Sequence, residues 1–130
     1  MGRPRTASAS RGRRRVADRG AASIYLLAVG LLLVAAGLGA AAVGAARVGR
    51  HQARTAADLG ALAGAMWAVY GPAEACGRAG RVVAANGGRL TSCIVSGLEI
   101  VVRAEVEVHP LPGLIRYASA TARAGPVYGR

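Results

Sequence analysis

Lysine and phenylalanine are both absent from this 130-residue chain, tryptophan occurs once as Trp67, cysteine and histidine occur twice each, and only six residues are acidic. Without lysine there is no lysine-bearing phosphate loop and no Schiff-base nucleophile. His51 stands among arginines and His109 beside Pro110, and neither has ligand spacing to Cys76 or Cys93, so no zinc site is expected. The two cysteines lack a Cys-x-x-Cys spacing, which argues against a redox enzyme. Glu99, Glu105 and Glu107 share the outer side of an alternating segment and read as the wet face of a sheet rather than a carboxylate cluster. No catalytic residue, cofactor-binding residue or metal ligand is therefore expected, and the chain points to assembly rather than turnover.

What the chain does hold is one uncharged run from Ala21 to Ala46, preceded by Arg3, Arg5, Arg11, Arg13, Arg14, Arg15 and Arg19. As a helix the run would measure about 39 Å, against a hydrocarbon core of about 30 Å. A secretory signal has a shorter apolar part, about 7 to 15 residues, ending at small residues, and the alanines from Ala40 to Ala46 offer such sites. Length favours a retained membrane anchor, with a cleaved signal and a secreted, disulfide-stapled binding protein as the alternative. Positive charge near a span is held on the cytoplasmic side. The leading arginines outnumber Arg47, Arg50 and Arg54 beyond the run, so a single pass through the plasma membrane is expected, N-terminus inside and C-terminal domain outside.

The formal net charge of +11 invites a nucleic-acid reading. Most of the excess, however, sits in a Gly/Ser/Arg segment with no aromatic side chain to stack a base. No nucleic-acid partner is expected; residues 1–20 read as a basic, disordered cytoplasmic arm that sets topology and attracts anionic lipid. Both cysteines fall in the part expected outside the cell, where an even count favours a Cys76–Cys93 disulfide over two buried thiols.

Beyond the run, Arg47, Arg50, Arg54 and Asp58 recur at steps of three and four, with Arg54 and Asp58 spaced to pair. Val48, Gln52, Thr55, Leu59, Leu62, Met66 and Val69 form the opposite, mostly apolar seam, and the uncharged stretch from Leu59 to Ala73, too short for a second span, is expected to present an apolar face packed on protein. The helix is therefore predicted to continue through residues 47–70 as a projecting amphipathic segment, stopping at Gly71 and Pro72. Residues 71–130 form the small outer domain. Ala73 to Ala85 reads as a short helix ended by Asn86, Gly87 and Gly88; Leu90 to Val95 reads as a strand joined through Ser96 and Gly97 to a second. In that second strand Leu98, Ile100, Val102, Ala104, Val106 and Val108 face one way and the charged residues the other. Pro110 and Pro112 are expected to break the pattern before a weaker strand from Tyr117 to Arg123. The fold class is α+β, with a long N-terminal transmembrane helix, a short helix and a two- to three-stranded antiparallel sheet. Gly60 and Gly64 form a small-xxx-small pair that would admit another helix at close range.

The order of parts, with Asp18-Arg19-Gly20 before the apolar run and the stretch from Arg50 to Ala65 after it, resembles the TadE/TadG-like pilus-assembly family, in particular its short actinobacterial helicase/secretion-neighbourhood branch. The resemblance covers about residues 18–127, and the cysteine pair with Asn86 and Gly87 between fits it. It implies a pilin-like fold and a non-enzymatic, minor pilin or pseudopilin-like role in a Tad (Flp) type IV pilus or a related secretion apparatus. The implied partners are membrane lipid, other assembly proteins met through helix packing, and a prepilin-type peptidase. Related prepilins are cut after a glycine ahead of the apolar run, which here would be Gly20, leaving Ala21 first. The fifth residue of the shortened chain would be Tyr25, where prepilins carry glutamate, a departure that bears on processing and filament entry.

Overall fold

A computed structural model of the chain describes Gly2 and residues 10–127, with only the backbone described for 10–17. Residues 3–9 of the basic arm, Arg3 and Arg5 included, thus lie outside the described residues, as do the side chains of Arg11, Arg13, Arg14 and Arg15. The elements in chain order are helix α1 (Ser10–Ala65), a single 3₁₀ turn (Ala68–Tyr70), helix α2 (Pro72–Ala85), and strands β1 (Arg89–Ser96), β2 (Glu99–Leu111) and β3 (Leu114–Ala124). The fold is α+β. The chain divides into two compact units, Met1–Gly39 and Ala40–Arg130.

In the first unit the helix carries large apolar side chains all round, among them Leu26, Leu27, Leu31 and Leu32, each about 70% exposed or more in the isolated chain. A helix with no polar face is stable only in an apolar surrounding. Between Asp18 and Ala65, α1 is long and apolar enough to cross a membrane. Helical backbone begins at Ser10, ahead of the expected start at Ala21.

In the second unit α1 lies along one face of the antiparallel sheet, whose strand order is β1-β2-β3. A Cβ on Gly49 would meet Val108 and Ala118, and one on Gly64 would meet Ile100, so α1 runs along β2 in the opposite direction. The face of α1 turned inward is Gly49, Ala53, Ala56, Ala57, Gly60, Ala61 and Gly64. The seam expected to be packed is instead the exposed one: Val48, Leu62, Met66 and Val69 are each more than half exposed and Leu59 is 41% exposed. Close approach of backbones explains the reversal. With the Ala75 and Ala79 carbonyls of α2 within about van der Waals reach of this face, only glycine and alanine fit beneath them.

The end of α1 tightens before Gly71. Trp67 donates its amide to the Gly64 carbonyl (3.0 Å) and Tyr70 to that of Trp67 (3.0 Å), both three-residue steps that give 3₁₀ rather than α geometry. Pro72 then opens α2, where its missing N–H costs nothing. At the other end, Gly88 donates to Val83 (3.0 Å) and Gly87 to Ala84 (3.0 Å), a Schellman closure that needs the left-handed φ of +74° at Gly87.

The β1–β2 connection is Gly97-Leu98, with Ser96 paired to Glu99. Gly97 at φ +62° followed by a negative-φ residue gives the twist a two-residue hairpin requires. Leu98 therefore sits in the turn, 45% exposed, and does not join the buried row. That row is Ile100, Val102, Ala104 and Val106, all buried, as alternation predicts. β2 also runs through Pro110 to Leu111, farther than expected; the register shift between Val108 and Leu111 takes up the lost amide donor. Pro112 and Gly113 (φ +78°) then form the turn into β3.

Cys76 of α2 and Cys93 of β1 are joined in a disulfide with Cα atoms 5.9 Å apart. Closing a loop with a sequence separation of 17 is worth about 3 kcal/mol in the chain-entropy model. That contribution weighs heavily here, because the largest fully buried side chains are only Ile100, Val83 and Val102.

Candidate functional site

Each predicted position has a definite place. Gly20 and Ala21 are exposed on α1, as is Tyr25 one turn later, with 75% of its surface open. A Cβ on Gly60 would meet Val83 Cγ2 at 2.6 Å and the Ala79 carbonyl oxygen at 3.2 Å; one on Gly64 would meet the Ala75 carbonyl oxygen at 2.9 Å. The helix that approaches these glycines is thus α2 of the same chain, and the pair is not open to a helix from another molecule. Gln52 Nε2 adds a donated bond to the Asn86 carbonyl (3.3 Å), tying α1 to the end of α2.

Near the end of α1 the single tryptophan organises a small cluster. The Arg78 guanidinium lies 4.0 Å from the Trp67 ring centre, and the Tyr70 ring is 5.2 Å away. Such stacking is worth about 0.5–1 kcal/mol where exposed. The pairing of Trp67 with Arg78 was not legible from spacing, since it joins two elements across the 3₁₀ turn.

The outward face of the sheet is polar, with ion pairs Arg89–Glu105 (3.3 Å) and Arg123–Glu99 (2.9 Å), and His109 Nε2 lies 3.1 Å from Glu107 Oε1. Arg103 donates to Ser119 Oγ (3.2 Å). These are cross-strand or near-neighbour contacts on a solvated surface, each worth at most about 1 kcal/mol. The three glutamates on β2 are therefore divided among separate partners. The Arg54–Asp58 pair expected along α1 does not form among the described ion pairs. Among the described residues no three His, Cys, Asp or Glu side chains gather as a metal-binding group.

Among the described residues two surfaces stand out. One is the ridge of large apolar side chains on α1, Val48, Leu59, Leu62, Met66 and Val69. The other is a groove of about 550 Å³ between Arg50 and Arg54 of α1 and residues 117–121 of β3. The first unit is thus an apolar helical segment, and the second is a small cystine-bearing α+β unit. Residues 20–67, the helix and its continuation, match the Tad family model, described as Flp pilus-assembly TadE/G-like, so this segment carries a TadE/G-like domain. The match links the chain to Flp pilus assembly. Comparison with curated proteins and with solved structures gave no match.

Proposed function

We propose that the protein is a non-enzymatic, single-pass membrane component of a Tad (Flp) pilus or related secretion apparatus, acting as a minor pilin or pseudopilin-like subunit. The observation that carries this reading is the coincidence of the family match with the long apolar part of α1, residues 20–67 against a candidate span of Asp18–Ala65. Ten branched aliphatics between Ile24 and Val43 favour lipid by about 0.3–0.6 kcal/mol each at the helix centre, enough to hold the chain in place. The arginine excess before the span supports a cytoplasmic N-terminus, and the cystine supports an oxidising compartment for the C-terminal domain.

Other assembly proteins meet this chain through its lipid-facing helix and through the exposed ridge at Leu59, Leu62 and Met66; the binding energy comes from shape-matched apolar packing rather than charge. Exposure of Gly20 and Ala21 on α1 suits access by a prepilin-type peptidase, with Tyr25 in the place of the usual glutamate. The test is alkaline carbonate extraction of membranes, followed by co-purification of pilus components with the wild type and with Leu59→Asp/Leu62→Asp. Retention in membranes with loss of co-purification in the variant is expected. Release of the intact chain by carbonate refutes the anchor, and unchanged co-purification refutes the ridge. A mature N-terminus at Met1 or Gly2 refutes processing at Gly20.

A further inference from the structure

β3 is an edge strand among the described residues: the sheet order places β2 on one side of it and no described strand on the other. An open edge carries alternate backbone N–H and C=O groups that lack ladder partners and accept a further strand. Here the edge is long, from Leu114 to Ala124, and among its central residues 117–121 it has no proline, no lysine and no bulge to discourage pairing. The opposite wall of the adjoining groove is made by Arg50 and Arg54. Neither arginine has a carboxylate within 4.0 Å among the described ion pairs, and Arg116 adds a third guanidinium in a smaller pocket at the same end, shared with Arg50.

The spacing matches one kind of occupant. Arg50 and Arg54 are one helical turn apart, about 6 Å along α1. Alternate residues of a strand, which point to the same face, are about 6.8 Å apart. Because α1 runs along the strands, a fourth strand laid on β3 would bring side chains i and i+2 of its inner face under the two guanidiniums. The geometry points to an extended segment of a partner protein with acidic residues at alternate positions, docking on β3 as a fourth strand with its carboxylates on Arg50 and Arg54. A second copy of this chain does not supply it. Its own alternating acids, Glu105 and Glu107, are already in the central strand, and two copies joined at β3 would set arginines against arginines.

The inference stands apart from the pilus reading, since it needs only the sheet edge and the charges beside it. It is tested with the full chain in nonionic detergent micelles and a fluorescent peptide of sequence Thr-Val-Glu-Val-Glu-Val-Thr. The expected result is salt-sensitive binding that protects amides of residues 117–121 from hydrogen exchange. Affinity should fall by about tenfold or more in Arg50→Gln/Arg54→Gln and stay unchanged in Arg81→Gln, an exposed arginine on α2. N-methylation of alternate peptide amides should abolish binding, because it removes strand hydrogen bonds without touching the carboxylates. Equal binding by the methylated peptide, equal binding by the double variant, or no binding at millimolar peptide each overturns the proposal. So does protection of the same amides by phosphatidylglycerol nanodiscs with no protection by peptide, which would assign the arginines to lipid headgroups.

Discussion

Replacing Gly64 with alanine tests whether small residues are what hold α1 against α2. The added methyl would stand 2.9 Å from the Ala75 carbonyl oxygen, 3.2 Å from Ala79 Cβ and 2.5 Å from Ile100 Cδ1. Two of those three neighbours belong to or lie next to the backbone of α2, and Ile100 is fully buried, so none can swing aside. Overpacking of this kind costs about 1–3 kcal/mol, and alanine returns about 1 kcal/mol through helix propensity. Taking the upper part of the range, the net loss is about 1–2 kcal/mol. For a unit of this size that lowers the melting temperature by about 4–16 °C. Gly77 of α2 is the control, because a methyl there meets only the mobile end of Arg81 at 3.7 Å, and Gly77→Ala should raise stability by up to about 1 kcal/mol. Thermal unfolding in detergent, followed by the fluorescence of Trp67 at the α1–α2 junction, reads both variants. If Gly64→Ala melts at or above the wild type while Gly77→Ala behaves as stated, the close-packing argument is wrong.

Reducing the cystine, or replacing both Cys76 and Cys93 with alanine, should cost about 3 kcal/mol, visible as a melt that shifts only in the presence of reductant for the wild type. Gly87→Ala should destabilise by about 1 kcal/mol or more, through its left-handed backbone and because a Cβ there would stand 2.6 Å from Gln52 Nε2; Gly87→Asn should recover part of the backbone cost, and chemical unfolding of both variants with and without Gln52→Ala separates conformation from that contact. Arg89→Gln removes a cross-strand ion pair whose arginine is 70% exposed and should change stability by less than about 1 kcal/mol, a loss that shrinks further in high salt.

The parts of the fold that follow from local rules were legible in the residues themselves. Alternation from Ile100 to Val106 specified the buried row of β2, and Gly71 with Pro72 marked a helix break, although α1 gives way to a 3₁₀ turn already after Ala65 and α2 opens at Pro72 rather than Ala73. The cystine followed from the even cysteine count and the compartment the arginine asymmetry leads one to expect. The contact face of α1 did not, because hydropathy ranks Leu59, Leu62 and Met66 above alanine and glycine, whereas the interior was chosen by how near two backbones must come. In a chain so rich in alanine the small residues carry no periodic signal strong enough to compete. Leu98 was misplaced for a related reason: the alternating pattern extends one step beyond the strand into a turn whose position is set by Gly97. The groove beside β3 was illegible for another. Arg50 and Arg54 were visible as neighbours one turn apart, but only the register of the sheet sets them over an open edge.

The link between Cys76 and Cys93 also decides how the C-terminal unit answers mechanical load. Tension that enters through α1 and leaves through β2 or β3 reaches β1 across sulfur, bypassing the intervening loop. The bypassed residues would extend by up to about 60 Å if freed, and that length stays locked while the bond persists. Under traction the oxidised protein is thus a short tether with little slack, and chemical reduction lengthens it.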